Sequence, residues 1–174
     1  MLVRRARTAD VPCIRSLVDH YRGDGRLLDK PTVTLYEDLQ DFRVVSLDGQ
    51  VVGCGALHVL WRDLGEVRTV AVAPAHRGRG IGDLLLNRLL GDAAGLGLQR
   101  LFCLTFETRF FSRHGFAEIE GTPVTPEVYR ELRQSYDEGV AEFLDLEWVK
   151  PNVLGNTRML CVLPRSPDPG RTNG

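Results

Sequence analysis

The stretch from Gly65 to Leu98 constrains this chain more than any other. Gly65-Glu66-Val67-Arg68-Thr69-Val70-Ala71-Val72 reads as a strand, and Pro74 to Gly82 as a turn with glycines at 78, 80 and 82. Ile81, Leu84, Leu85, Leu89 and Ala93 then recur at helical spacing. A glycine-rich turn between a strand and a helix aims several backbone N–H groups one way, and the helix adds the positive end of its dipole. The combination is an anion site and implies a phosphate-bearing ligand. It is not a Walker turn, which ends Gly-Lys-Ser/Thr where this chain has Gly82-Asp83. It fits the dinucleotide fingerprint poorly: Gly78 and Gly80 match, but the last glycine position holds Asp83. On the strand, a period of two places Glu66, Arg68, Val70 and Val72 on one face and Thr69 and Ala71 on the other.

The flanks read as one α/β domain. At 174 residues the chain can bury a full core, and the expectation is a single domain over 1–163 with a loose tail over 164–174. Leu2 to Ala6 is a first strand, followed by a helix from Thr8 with Val11, Ile14, Leu17, Val18 and Tyr21 on one face. A short helix lies between Thr32 and Asp41. Phe42–Leu47 and Gln50–Leu60 pair through Asp48-Gly49, the strongest hairpin signal present. Gly53 and Gly55 inside the second strand imply a bulge or a close backbone approach. After the glycine turn come an apolar strand over Arg100–Thr105, a short helix ending at Gly115, a strand to Ile119, a helix over Pro126–Tyr136 and a last strand over Thr157–Leu163.

A net charge of -1 and a pI near 6.4 give no electrostatic reason to expect nucleic acid or an anionic membrane as partner. The beginning Met-Leu-Val-Arg-Arg has no apolar leader and no apolar run is long enough to span a bilayer, so a cytoplasmic protein is expected. Cys13, Cys54, Cys103 and Cys161 are widely spaced within apolar runs and read as reduced core residues, with a nucleophilic Cys103 as the minority option. Neither they nor the histidines have metal-ligand spacing, so no metal is expected.

Two motifs carry a resemblance. Arg77-x-x-Gly80-x-Gly82 behind Val70-x-Val72-x-Pro74, with Phe110-Phe111-x-x-x-Gly115-Phe116 downstream, resembles the GCN5-related N-acetyltransferase (GNAT) superfamily. The resemblance implies an α/β (α+β) GNAT fold: a mixed sheet of about seven strands, flanked by helices, with two parallel central strands that splay apart. It also implies acetyl-CoA as co-substrate. Val70, Ala71 and Val72 would meet the pantetheine arm, Arg77, Gly78, Arg79, Gly80, Ile81 and Gly82 the pyrophosphate, and Phe111 would complete the cofactor site.

Acetyl transfer to an amine needs a base, because an ammonium has no lone pair with which to attack a thioester. Glu66, eleven residues before Arg77, stands where many superfamily members carry a base glutamate. A carboxylate at its ordinary pKa of about 4.3 is a weak base, so burial or a relaying water would have to assist it. The structural alternative for Glu66 is an ion pair with Arg68. Backbone N–H groups near Val70 to Val72 could stabilise the oxyanion. Relatives often carry a tyrosine acid where this chain has Phe111, which leaves Ser112, Tyr36, Tyr136 and water as candidates.

Longer stretches resemble the acetyltransferase domain of N-acetylglutamate synthases: Val51 to Leu57, Leu64 to Arg68, and Leu101 to Thr105. Short amino-acid N-acetyltransferases without a kinase-like domain also share Glu107-Thr108, the run Tyr136 to Leu146 and the run Val149 to Met159. The implied reaction is acetylation of the α-amino group of L-glutamate, or of L-glutamine, as the first step of arginine biosynthesis. The longer synthases have Thr-Thr-Arg where this chain has Thr105-Phe106-Glu107, so the carboxylate clamp must lie elsewhere. Lys30, Arg68 and Thr105 are the substrate-binding candidates, and Arg109 and Arg113 follow. A GNAT enzyme for another small amine or a protein amine, and a non-catalytic acyl-CoA sensor, are the alternatives. Glu142 to Leu146 and the C-terminal strand are candidate edges of a homodimer.

Overall fold

The computed structural model describes residues 1–22, 31–149 and 155–164. Seven strands form one mixed sheet: β1 (Leu2–Arg5), β2 (Phe42–Leu47), β3 (Gln50–Trp61), β4 (Leu64–Val72), β5 (Arg100–Thr105), β6 (Ala117–Glu118) and β7 (Thr157–Val162). Their order is β1-β2-β3-β4-β5-β7-β6. Among the described residues six α-helices accompany them: α1 (Val11–Arg22), α2 (Thr32–Glu37), α3 (Ile81–Gly95), α4 (Thr108–Ser112), α5 (Pro126–Leu132) and α6 (Glu138–Phe143). None of the described helices is long and apolar enough to cross a membrane.

Local chemistry accounts for the elements. The β2–β3 hairpin turns at Asp48 and Gly49, both at positive φ (50° and 81°), as the sequence led one to expect. Gly80, at φ 74°, starts α3, and Ile81, Leu85, Leu86, Leu89 and Ala93 bury its inner stripe. Leu86 is fully buried where the spacing favoured Leu84. The first helix begins later than Thr8: Thr8–Asp10 is a 3-10 turn, because the Asp10 carboxylate accepts the Arg7 N–H and pairs with Arg4. β7 lies between β5 and the two-residue β6, which pairs only with Met159 and Leu160; of the run Glu142 to Leu146, the first three residues are buried, Asp145 is exposed and Leu146 is half-buried. Cys54, Cys103 and Cys161 are buried, but Cys13 is exposed on the outer side of α1, which corrects its assignment to the core.

Two departures from regular pairing place the site. β4 and β5 are parallel and register only over Leu64↔Arg100, Gly65↔Leu101 and Glu66↔Phe102. Beyond Glu66 the strands diverge. β4 pairs with β3 on its other side, where Ala56 faces Arg68 but Cys54 faces Ala71, so β4 carries an extra residue against β3. That bulge holds Thr69 at φ 58°, an uncommon conformation for a β-branched residue.

The bulge overturns the simple alternation. Val67 is in the core against Leu86 and Leu89 of α3, and Val70 packs on that same cluster. Val72 also faces the α3 side, against Ile81 and Leu85. Leu64 belongs to the opposite cluster with Phe143 of α6, and Ala71 to the α1 cluster with Val11 and Ile14. Glu66 and Arg68 therefore face α6, whereas Val70 and Val72 face α3; one inserted residue flips every later side chain to the other face.

Gly53 and Gly55 fulfil both expectations made for them. They lie opposite the bulge and beneath α3: a Cβ on Gly53 would come within 3.0 Å of Ile81 Cγ2 and 3.2 Å of the Ala71 carbonyl oxygen. Gly53→Val is expected to destabilise the fold by about 1–3 kcal/mol through overpacking at the first turn of α3. Chemical denaturation of the pair of proteins measures this, and an unchanged midpoint would contradict it.

Candidate functional site

The gap between the splayed ends of β4 and β5 opens into a cleft of about 600 Å³. Its wall on one side is β4 from Val67 to Val72 and on the other Leu104 to Glu107, with Phe110 and Phe111 of α4 beyond. The glycine turn and the first turn of α3 close one end. Of the cofactor residues expected from sequence, Val70, Ala71, Val72, Arg77, Gly78, Gly80, Ile81, Gly82 and Phe111 all line it. Arg79 does not; it is exposed and pairs with His76 at 3.0 Å. Of the substrate residues, Arg68 and Thr105 line the cleft, and Lys30 lies outside the described residues.

The turn is shaped for an anion. Gly78 and Gly80 sit at φ 71° and 74°, and a Cβ on either would meet no other atom, so backbone conformation rather than crowding calls for glycine at both. Gly82 answers to space instead, since a Cβ there would lie 3.2 Å from the Phe110 ring. Ile81, Gly82 and Asp83 open α3, whose first-turn N–H groups have no intrahelical acceptor. Asp83, an acid within that first turn, is held by His114 Nε2 at 2.9 Å.

Tyr21 organises the basic residue of the turn. Its buried hydroxyl donates to the Val72 carbonyl and accepts from Arg77 Nε at 2.9 Å, while the Arg77 guanidinium stacks 4.9 Å from the ring centroid. Tyr21 was legible as an apolar-face residue of α1; that its hydroxyl reaches across to β4 depends on how α1 lies on the sheet.

Glu66 and Arg68 project from the opposite face of β4 and are both buried. Arg68 Nη1 donates to Asp137 Oδ1 at 2.8 Å and lies 3.7 Å from Glu66 Oε2. Asp137 is also the N-cap of α6, accepting the Val140 N–H at 3.0 Å. Burial alone would raise the Asp137 pKa, but the Arg68 hydrogen bond and charge and the Val140 N–H outweigh it and hold the carboxyl at about 2. Gly139 completes the cluster. A Cβ there would overlap Arg68 Nη1 and stand 3.0 Å from both Glu66 Oε2 and Asp137 Oδ1. The ion pair between Glu66 and Arg68, weighed from sequence as an alternative to a base, thus exists as a loose contact, and Asp137 supplies the closer partner. Asp137 and Gly139 stood in the sequence only within a longer resembling run; an Asp three residues before Val140 is the N-cap signal that could have marked them.

All but one of the remaining candidates lie away from the cleft. Ser112 and Tyr36 are exposed, Tyr136 fully so, and none lines the cleft. Cys103 is buried in the α3-side core, and burial, reinforced by the Glu66 charge, pushes its thiol far above the range of a nucleophile. Arg109 does not line the cleft; Arg113 does, with Asp83 3.5 Å away. Among the described residues no group of three or more His, Cys, Asp and Glu is placed to hold a metal ion.

Comparison with known proteins gives a consistent set of likenesses. The sequence model of the Acetyltransferase (GNAT) family matches residues 14–116. The amino-acid acetyltransferase of Mycobacterium tuberculosis is 66% identical over 165 residues, covering 93% of this chain and 94% of the relative. The crystal structure of Rv2747 from M. tuberculosis in complex with CoA and NLQ superposes with a TM-score of 0.92 at 65% identity, over 94% of this chain and 100% of that one. N-acetylglutamate synthase from Neisseria gonorrhoeae, complexed with coenzyme A and N-acetyl-glutamate, superposes with a TM-score of 0.75 at 25% identity; 94% of this chain matches 35% of that one.

Two outcomes test the Arg68 cluster. Asp137→Asn keeps the cap and loses the charge, so its stability deficit should be full above about pH 4, the unfolded pKa of Asp, and vanish as pH falls through about 2. Denaturation of both proteins across that range checks this, and a deficit independent of pH would refute it. Gly139→Ala should cost about 1–3 kcal/mol by forcing Arg68 aside, where the same change at an open helical glycine would stabilise; chemical denaturation measures this, and an unchanged or raised midpoint would contradict it.

Proposed function

The chain belongs to the acetyltransferase (GNAT) family, and from that premise we propose that it is an acetyl-CoA-dependent amino-acid acetyltransferase acting on the α-amino group of L-glutamate, or of L-glutamine, at the entry to arginine biosynthesis. The observation that carries this reading is the continuity of one cleft. It runs from the phosphate-suited turn of Arg77 to Gly82, between the splayed strands, to Arg68.

The residues fit the co-substrate. Gly78 and Gly80 leave open space where an L side chain would otherwise project, and the start of α3 offers unpaired N–H groups to a pyrophosphate. Arg77, braced by Tyr21, adds a fixed positive charge. Val70 to Val72 supply the strand edge freed by the divergence from β5, along which an amide-bearing arm can extend. When bound, acetyl-CoA supplies an activated acetyl thioester.

The chain's own part is to deliver a neutral amine. Glu66 is buried and does not itself line the cleft, but it lies 3.7 Å from Arg68, which does; it is the carboxylate that takes the proton, through a water. Arg68 Nη1, hydrogen-bonded to Asp137, sets a positive charge 3.7 Å from the Glu66 carboxylate. The thiol that departs has a pKa of about 8.5 in the free state, so it can leave as thiolate without a dedicated acid. That is compatible with Phe111 standing where relatives have tyrosine.

Release of free thiol from acetyl-CoA, measured over glutamate, glutamine, aspartate, ornithine and a peptide, tests the assignment. Release confined to glutamate and glutamine is expected; release with none of them would favour an acyl-CoA sensor. Glu66→Gln should lower kcat by about 10²–10⁴-fold. Tyr21→Phe removes one hydrogen bond to Arg77 while keeping the ring, and should raise the acetyl-CoA KM by about 3- to 10-fold with the amino-acid KM unchanged.

A further inference from the structure

Arg68 is used in an asymmetric way. The two carboxylates in ion-pair range, Asp137 at 2.8 Å and Glu66 at 3.7 Å, approach the same nitrogen, Nη1, while Asp38 adds a further negative charge nearby. Nε and Nη2 are closed to bulk water and have no hydrogen-bond partner. Those two nitrogens form the side-on edge of the guanidinium, the fork whose parallel N–H groups match the two oxygens of a carboxylate. Arg68 itself is only 9% exposed, and it lines the cleft.

A buried charged fork without a hydrogen-bond partner is costly, and such a group is sustained where a ligand completes it. Resting on the amino-acid acetyltransferase reading, we propose that the Nε–Nη2 fork of Arg68 is the subsite for the acceptor's α-carboxylate, and that Asp137 is the positioning residue that turns the fork toward it. Asp137 is itself fixed, because capping α6 through the Val140 N–H leaves its carboxylate one orientation. Gly139 keeps the space: a side chain there would occupy the position of Arg68 Nη1 and rotate the fork away. Thr105, 7% exposed and in the same cleft, accepts the Glu107 N–H at its hydroxyl oxygen and still has its O–H to donate.

The chemistry of an α-amino acid matches this arrangement. Its amine and its carboxylate hang on one carbon, so their two binding groups must be neighbours. Glu66 and Arg68 are, two residues apart on one face of β4 and with the bulge only after them. The fork's low-dielectric setting makes the ion pair stronger than one in water.

The decisive comparison sets L-glutamate and L-glutamine each against its α-carboxamide, which keeps the amine and side chain but removes the charge that the fork would bind. In the wild-type protein the carboxamides should show kcat/KM about 10- to 100-fold lower. Arg68→Lys retains the cation that neutralises Asp137 and Glu66 but has no fork. It should raise the amino-acid KM by at least 10-fold, leave the acetyl-CoA KM within 2-fold, and bring acid and carboxamide to within about 3-fold of each other. Asp137→Asn should shift the same ratio part of the way. Titration calorimetry of L-glutamine and L-glutamate onto the coenzyme A-loaded protein gives a second readout: Arg68→Lys should bind at least 10-fold more weakly. Equal losses for acid and carboxamide, or carboxamides as good as acids in the wild type, would overturn the subsite. Should the wild type release no thiol with any amine, the acetyl-transfer reading falls. Amino-acid binding, retained or lost in Arg68→Lys, then decides the fork on its own.

Discussion

β4 and β5 hydrogen-bond over three residue pairs and then separate, and a sheet cannot do this in its interior without exposing backbone groups that need partners. Two features make the separation tolerable. On its other edge β4 stays paired with β3, and the extra residue at Thr69 lets it bend away from β5 while keeping that ladder. The freed edge from Val67 to Val72 then becomes the wall of a cleft whose end is the start of α3. A ligand with amide groups can satisfy what the missing strand pairing leaves open. The strained residue and the unpaired edge occur at the same place because they are one distortion.

The same bulge divides the work of β4 between two faces. Before it, Glu66 and Arg68 face α6; after it, Val70 and Val72 face α3. The buried charges and the apolar contacts with α3 are thereby placed on opposite sides of one strand. α6 is held over the first of these faces at both ends by arginines of the sheet. Arg68 binds its N-cap Asp137, and Arg158 of β7 donates to the carbonyls of Glu142 and Phe143 while stacking 4.9 Å from the Phe102 ring. A helix of six residues is marginal alone, and those contacts, with Phe143 in the core, fix it where Gly139 meets Glu66.

Much of this was legible in the residues. The Asp48-Gly49 hairpin, the glycine turn, the inner stripe of α3 and the unusual glycines of β3 follow from local rules, each with a short-range cause. The family resemblance rested on the same turn and placed nine of the ten expected cofactor residues on the cleft. The faces of β4 went wrong for one reason. Alternation assumes an uninterrupted ladder, and nothing in Arg68-Thr69-Val70 announces an inserted residue, since a threonine is an unfavourable choice for positive φ.

What the linear order of residues settles is therefore the set of elements and the anion-binding turn, because hydrophobic period, glycine placement and capping act within a few residues of one another. What needed the folded chain is every relation across it: Tyr21 of α1 bracing Arg77, the α6 cap Asp137 and Gly139 of α6 closing on Glu66 and Arg68, and a buried fork of Arg68 left without a hydrogen-bond partner. These contacts join residues 56, 69 and more positions apart, and their geometry depends on a bulge and a strand divergence that no local preference encodes. Long-range packing chose among conformations that the local sequence left nearly equal, and in doing so it placed the charges.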